Sequence, residues 1–253
     1  MPLEISVPDI FVPAPDANIV ILTGAGISKE SGIDTFRDAG GIWSQVRIED
    51  VATPEAFARD PDRVHAFYNM RRRRVRSMNI APNAAHAALA KLEREWRGGV
   101  LVVTQNVDSL HERAGSENVL HMHGRHAEAR CNHCGNVAPC EDDLSTALNC
   151  VSCGRAGGLR PNVVWFGEMP FHMDEIQRAL ADCDLFLSIG TSGNVYPAAG
   201  FVALVRRLGR AHTAELNLEP SVGASHFAET HYGPATEVVT RYVEALLDGR
   251  DQA

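Results

Sequence analysis

Lysine is scarce in this 253-residue chain: of 24 basic residues only Lys29 and Lys91 are lysine, and aromatic residues make up 6%. No run of 18 apolar residues is present, so the sequence offers no helical membrane span. A basic excess is also missing: 32 acidic against 24 basic residues leave a net charge of −8, and no global field draws the chain to nucleic acid or an anionic membrane. No Lys or Arg precedes Lys29, so the beginning of the chain lacks the basic region of a secretory signal, and a cytoplasmic location is expected. Internal repeats and low-complexity segments are absent. What remains is ordinary globular composition, 45% hydrophobic and 22% charged, at a length that suits one large domain carrying a smaller insert.

Four of the 13 prolines (Pro2, Pro8, Pro13, Pro15) fall in residues 1–17, which predicts an extended surface arm. Short apolar runs at residues 18–22, 99–103, 184–189 and 213–218 each end in a polar or Gly-bearing turn, as buried parallel strands do. Between them, residues 84–96, 198–208 and 238–247 space their apolar positions as amphipathic helices. The alternation predicts an α/β domain with a parallel sheet. Two segments break it: residues 40–79 are charged and helix-like, and residues 125–159 are rich in Cys, Gly and Asn.

Six cysteines in a reducing compartment point to metal ligands or free thiols rather than disulfides. Cys131-Asn-His-Cys134 and Cys150-Val-Ser-Cys153 are two Cys-x2-Cys knuckles 15 residues apart, within the zinc-ribbon range. Four thiolates fill a tetrahedral shell and leave no open position, so the zinc is expected to be structural. The competing assignments are His133 or Cys140 as a replacement ligand, or no metal at all; Cys140 and Cys183 are otherwise free thiols, Cys183 in the core.

The first strand runs into Thr23-Gly24-Ala25-Gly26-Ile27-Ser28-Lys29-Glu30-Ser31-Gly32, where backbone amides at a helix start suit a pyrophosphate. Lys29 stands where the dehydrogenase fingerprint wants its third glycine, and a tight turn without ligand is the alternative for these residues alone. The continuation Ile33-Asp34-Thr35-Phe36-Arg37 completes a segment that resembles the signature of the sirtuins, NAD-dependent protein deacylases. Matching segments follow in order: Gln105-Asn106-Val107-Asp108 with Leu110-His111, His121-Met122-His123-Gly124, the four cysteines, residues 161–168, Gly190-Thr191-Ser192, residues 217–220 and Gly233-Pro234-Ala235.

The resemblance implies a Rossmann-like NAD-binding domain (residues 18–39, 80–124 and 160–253) with a helical module (40–79) and a small zinc-binding module (125–159) inserted, after the arm at 1–17. It implies NAD as cosubstrate, one structural zinc and acyl-lysine protein substrates, with no nucleic-acid or membrane partner. Carried over by position, Gly24, Ala25, Gly26, Ser28, Glu30, Thr35, Phe36, Arg37 and Trp43 form the first wall of the NAD site. Gln105, Asn106 and Asp108 serve the nicotinamide and its ribose. Gly190, Thr191 and Ser192 hold phosphate and ribose; Asn217, Leu218, Glu219 and Ala235 lie on the adenosine side. His123 is the implied catalytic base, its neutral imidazole able to take a proton from a ribose hydroxyl. Val164, Trp165, Phe166 and Gly167 are the implied substrate segment, pairing with the peptide as an added strand.

Tyr68 and Arg71, three residues apart on one helical face, can together bind a carboxylate at the end of an acyl chain. Tyr-x-x-Arg at this place is similar to the sirtuins that remove succinyl, malonyl or glutaryl groups, which implies desuccinylase and demalonylase activity beside deacetylation, with nicotinamide and O-acyl-ADP-ribose as products. ADP-ribosyl transfer to protein, and a non-enzymatic zinc interaction module, are the rival functions.

Overall fold

The computed structural model describes residues 10–34 and 46–250. Its main sheet has six strands: β1 (Ile19–Thr23), β2 (Val100–Thr104), β3 (Val119–His121), β7 (Leu185–Ile189), β8 (His212–Asn217) and β9 (Glu229–Tyr232), in the order β3-β2-β1-β7-β8-β9. Every neighbouring pair is parallel. The order reverses between β1 and β7, and ligands of such open sheets bind beyond the carboxyl ends of the strands at that switch. The central strands β1 and β7 are buried at every position, which is why they read as largely apolar runs, with Thr23 and Ser188 as their polar residues.

Helices cover both faces. On one, α4 (Ala84–Glu95) and α8 (Ala235–Gly249) pack Leu89, Leu92, Val239, Tyr242 and Leu246 against Ile19, Ile21, Val102 and Leu187. On the other, α6 (Met173–Asp182) and α7 (Phe201–Leu208) bring Ile176, Leu180, Phe201 and Val205 to Val20, Leu22, Val103 and Phe186. Asn83 caps α4 by accepting from the amides of Ala85 and His86, an arrangement that typically contributes about 1 kcal/mol. The described part of the arm docks at the sheet edge: the Phe11 ring stacks on His212 at 4.1 Å, and its amide donates to Glu229.

Three helices lie beyond the sheet: α1 (Ile48–Val51), α2 (Pro54–Arg59) and α3 (Pro61–Ser77). Thr53 and Asp60 cap α2 and α3, and each is followed by a proline whose missing N–H costs nothing at the first helical position. These helices bury Val51, Ala56, Phe57, Val64, Phe67 and Tyr68 against Val163 and Trp165.

A second sheet, antiparallel, joins β4 (Gly124–Cys131) to β5 (Val137–Pro139) and β6 (Leu159–Val163) in the order β5-β4-β6. It begins at Gly124 and ends at Val163, so its strands reach past residues 125–159 on both sides. The fold is thus an α/β protein with a Rossmann-like sheet and a small cysteine-bearing sheet beside it. Of the remaining helices, α5 (Leu110–Ala114) is a short turn between β2 and β3.

Candidate active site

The loops following β1, β2, β7 and β8 leave a cleft of about 1410 Å³ that α3, β6 and the segment after it close from the other side. Its size exceeds what one small ligand fills.

At its floor the β1 and β7 loops touch backbone to backbone. A Cβ on Gly26 would lie 2.7 Å from Gly190 Cα; one on Gly190, whose φ is +62°, would lie 2.4 Å from the Ile27 amide. The Gly24 and Gly26 amides donate to the carbonyls of Ile189 and Gly190. These glycines therefore lock the two loops together and keep the floor clear of side chains. Lining the same floor are Ala25, Thr191, Ser192, Asn217, Leu218, Glu219 and Ala235. Glu30 lines it as well, yet both its oxygens accept from Thr236, tying the first loop to the start of α8.

Gln105 and Asn106 reach the cleft from the end of β2. Gln105 Nε2 donates to Thr191 Oγ1 at 3.2 Å, bridging the loops. The Asn106 amide nitrogen donates to Gly24 O and Ser28 Oγ, which leaves Oδ1 as an acceptor with no partner among the described residues. Ser28 and Asp108 do not line the cleft but stand behind it: the Asp108 carboxyl accepts from Ser28 Oγ and the Leu110 amide, and burial pushes it above the usual carboxylate range. Thr35, Phe36, Arg37 and Trp43 lie outside the described residues.

Three histidines follow one another near this wall. Both ring nitrogens of His121 face acceptors, Asn106 O and Glu112 Oε1, so it is structural. His123 lines the cleft, and its Nδ1–H donates to Gln105 O at 3.2 Å, which fixes the tautomer with a lone pair on Nε2. Burial lowers its pKa, outweighing that hydrogen bond, so the imidazole is neutral near pH 7. His126 lines the cleft too.

Tyr68 and Arg71 both reach the cleft from α3. Trp165 Nε1–H donates to Tyr68 Oη at 3.0 Å; since Trp can only donate, the phenol proton stays available to a ligand. Burial pushes the phenol up to about 12, so it remains a donor at neutral pH.

Val164, Trp165, Phe166 and Gly167 line the mouth. The amides of Val164, Trp165 and Phe166 already donate to His123 O, Glu168 Oε2 and Ala52 O. Trp165 is itself held: Arg160 lies 3.2 Å from its ring centroid, and Glu168 binds Arg160, Arg130 and the Trp165 amide. This clamp carried no signal in the sequence beyond the Gly167-Glu168 pair.

The sulfurs of Cys131, Cys134, Cys150 and Cys153 all lie within 4.8 Å of one another. The pairs Cys131–Cys153 and Cys134–Cys150 are 3.8 and 3.7 Å apart, and ligands ~2.3 Å from one tetrahedral zinc stand ~3.8 Å apart. The donor set therefore fits one structural zinc. His133 instead faces the Ala156 carbonyl, and Cys140 and Cys183 are free, Cys183 fully buried.

The sequence model of the Sir2 family matches residues 24–197. An Escherichia coli (strain K12) protein named NAD-dependent protein deacylase is 56% identical over 231 residues, 91% of this chain and 82% of the relative. One of the same name from Bdellovibrio bacteriovorus is 56% identical, covering 91% and 97%. Among solved structures, a complex of a Sir2 homolog with NAD superposes with TM-score 0.83 at 38% identity, covering 93% of this chain and 92% of the other. A Sir2 complex with a p53 peptide and NAD+ gives 0.72 at 29%, covering 93% and 94%.

Proposed function

The chain belongs to the Sir2 family and is an NAD-dependent protein deacylase, and from that premise we propose that it removes carboxylate-ended acyl groups, succinyl and malonyl, as well as acetyl from lysine. The observation that carries the acyl assignment is the Tyr68–Arg71 pair in the cleft, with the phenol proton left free by Trp165. A hydroxyl and a guanidinium are the donors a terminal carboxylate needs, and an acetyl group would leave both without a ligand.

NAD, when bound, supplies the ribose carbon that receives the acyl oxygen as nicotinamide departs. Asn106 Oδ1 is suited to accept from the nicotinamide carboxamide, and the Gly24–Gly26 and Gly190–Ser192 loops to receive the phosphates and ribose. His123 Nε2 takes the proton from a ribose hydroxyl, with Nδ1–H anchored on Gln105 O so that the ring cannot turn away. With that hydroxyl as nucleophile at the acyl carbon, the lysine amine as leaving group and one water entering, the products would be lysine, nicotinamide and O-acyl-ADP-ribose. Ser28 and Asp108 hold Asn106 and the β2 loop from behind. Zinc, held by Cys131, Cys134, Cys150 and Cys153, maintains the small sheet and stays outside the chemistry. The partners are acyl-lysine proteins; nucleic acid and membrane are not partners, and the site of action is the cytoplasm.

The test is mass spectrometry of one peptide carrying acetyl-, succinyl- or glutaryl-lysine, incubated with and without NAD. Deacylation with stoichiometric nicotinamide is expected only with NAD, and Arg71→Met should lower kcat/KM on the succinyl peptide by about tenfold or more. An Arg71→Met enzyme with full desuccinylase activity refutes the acyl assignment; NAD cleavage without any acylated peptide favours ADP-ribosyl transfer.

A further inference from the structure

His126 lines the same cleft as Tyr68 and Arg71, with its ring beside that of Tyr68. Its backbone is pinned on both sides: its amide donates to Val107 O at 2.9 Å, and its carbonyl accepts from Arg72 Nε at 3.1 Å. The pairing of β4 with β6 breaks here, holding at Arg125 with Asn162 and resuming at Ala129 with Pro161, so that residues 126–128 have no partner in β6. A bulge of this kind re-aims the side chains it carries, and it turns the His126 ring to 5.5 Å from the Tyr68 ring. The imidazole nitrogens make no hydrogen bond among the described residues, although the ring is packed beside α3.

We propose that His126 is a third binding residue for the acyl carboxylate, donating an imidazole N–H to the same oxygens that Tyr68 and Arg71 receive. The inference rests on the acyl assignment above and extends it from two donors to three. The charged and titratable groups facing the ring are Tyr68, Arg71 and Arg72, all from α3; from the β2 loop it meets the Val107 backbone. Burial first, then the charges of Arg71 and Arg72, push its pKa well below the ordinary histidine value. The ring is therefore neutral in the empty cleft and carries one N–H and one lone pair. A neutral imidazole adds no repulsion beside two guanidinium groups, and it supplies the donor that a leucine or phenylalanine of similar bulk would lack. A carboxylate arriving at Arg71 also offsets the charge that disfavours imidazolium, so its binding strengthens the His126 donor.

The experiment measures kcat/KM on matched succinyl-lysine and acetyl-lysine peptides for the wild type, His126→Leu, His126→Gln and Arg71→Met. The succinyl-to-acetyl ratio is the readout, since it does not depend on the fraction of each preparation that is folded. His126→Leu should lower the ratio by about tenfold, the loss expected for one hydrogen bond to a charged group, and His126→Gln, which keeps an N–H at similar reach, should recover most of it. A His126→Leu ratio within about twofold of wild type while Arg71→Met collapses it overturns the His126 proposal and leaves the acyl assignment standing. A wild type without desuccinylase activity, or an Arg71→Met ratio equal to wild type, overturns the acyl assignment and the His126 proposal with it.

Discussion

Glu168 offers the sharpest test of how this cleft is held in shape. Its Oε1 accepts from Arg160 Nη1 at 2.7 Å and Arg130 Nη2 at 3.1 Å; its Oε2 accepts from Arg160 Nη2 at 2.9 Å and the Trp165 amide at 2.8 Å. The Arg160 side chain is 3% exposed and Glu168 21%. Glu168→Gln keeps the shape and removes the charge, which leaves a buried guanidinium whose other acceptor is Val163 O. Removing one partner of a buried ion pair costs about 3–5 kcal/mol, and the partial exposure of Glu168 places the expected loss near the low end, about 3 kcal/mol. For a chain of this length that corresponds to a fall in Tm of roughly 6–12 °C. Burial raises the Glu168 carboxyl, but the Arg160 and Trp165 hydrogen bonds and the two arginine charges outweigh it, and the net displacement is downward from 4.5. A carboxylate lowered in the folded state stabilises fully above its unfolded pKa, and that contribution is lost as pH falls through the folded value. The gap between wild type and Glu168→Gln should thus be constant from neutral pH down to about pH 5 and close in stronger acid. Urea unfolding across that range measures it; a gap below about 0.5 kcal/mol at pH 7, or one that widens in acid, refutes the reasoning.

Cys150→Ser should abolish stoichiometric zinc, read by elemental analysis of the purified chain, and destabilise the β5-β4-β6 sheet with it. Because Trp165 and His123 flank that sheet, deacylation should fall together with zinc content rather than survive its loss. Gly190→Ala places a Cβ against the Ile27 amide at a φ of +62°, so it should cost about 1–3 kcal/mol in strain and weaken NAD binding by calorimetry. Wild-type NAD affinity in that variant would show that the two glycine loops do not interlock as described.

Most of the main sheet was legible because its central strands are buried on both faces and so are mostly apolar, with a few buried polar residues such as Ser188 among them. Residues 18–22, 99–103, 184–189 and 213–218 each lie within a residue of β1, β2, β7 and β8. The edge strands were not legible. β3 has three residues and β9 reads Glu-Thr-His-Tyr, a half-exposed edge whose polar residues carry no period that one sequence betrays. Met173–Asp182 was missed as a helix although it buries Ile176 and Leu180 at helical spacing, since it follows a long irregular stretch with no side-chain cap to announce it.

The site divides along the same physical line. The places of Gly24, Gly26 and Gly190 in the turns after strands were legible because a turn at a strand end is a local event, whereas Gln105 was singled out only by the resemblance. What Ser28, Asp108 and Glu30 do was not legible, because each meets residues far away in the chain: Ser28 with Asn106 and Asp108, and Glu30 with Thr236. His126 depends on a bulge in β4, and the grip on Trp165 depends on Arg160 folding back over a ring five residues ahead of it. Both are properties of how the small sheet meets α3. Under the proposed acyl assignment that junction, rather than the floor formed by the β1 and β7 loops, would set acyl selectivity, because every donor proposed for the carboxylate hangs from α3 or from a strand packed on it. A substitution that shifts α3 against β6 without touching Tyr68, Arg71 or His126 should therefore change the ratio of succinyl to acetyl turnover before it changes NAD affinity.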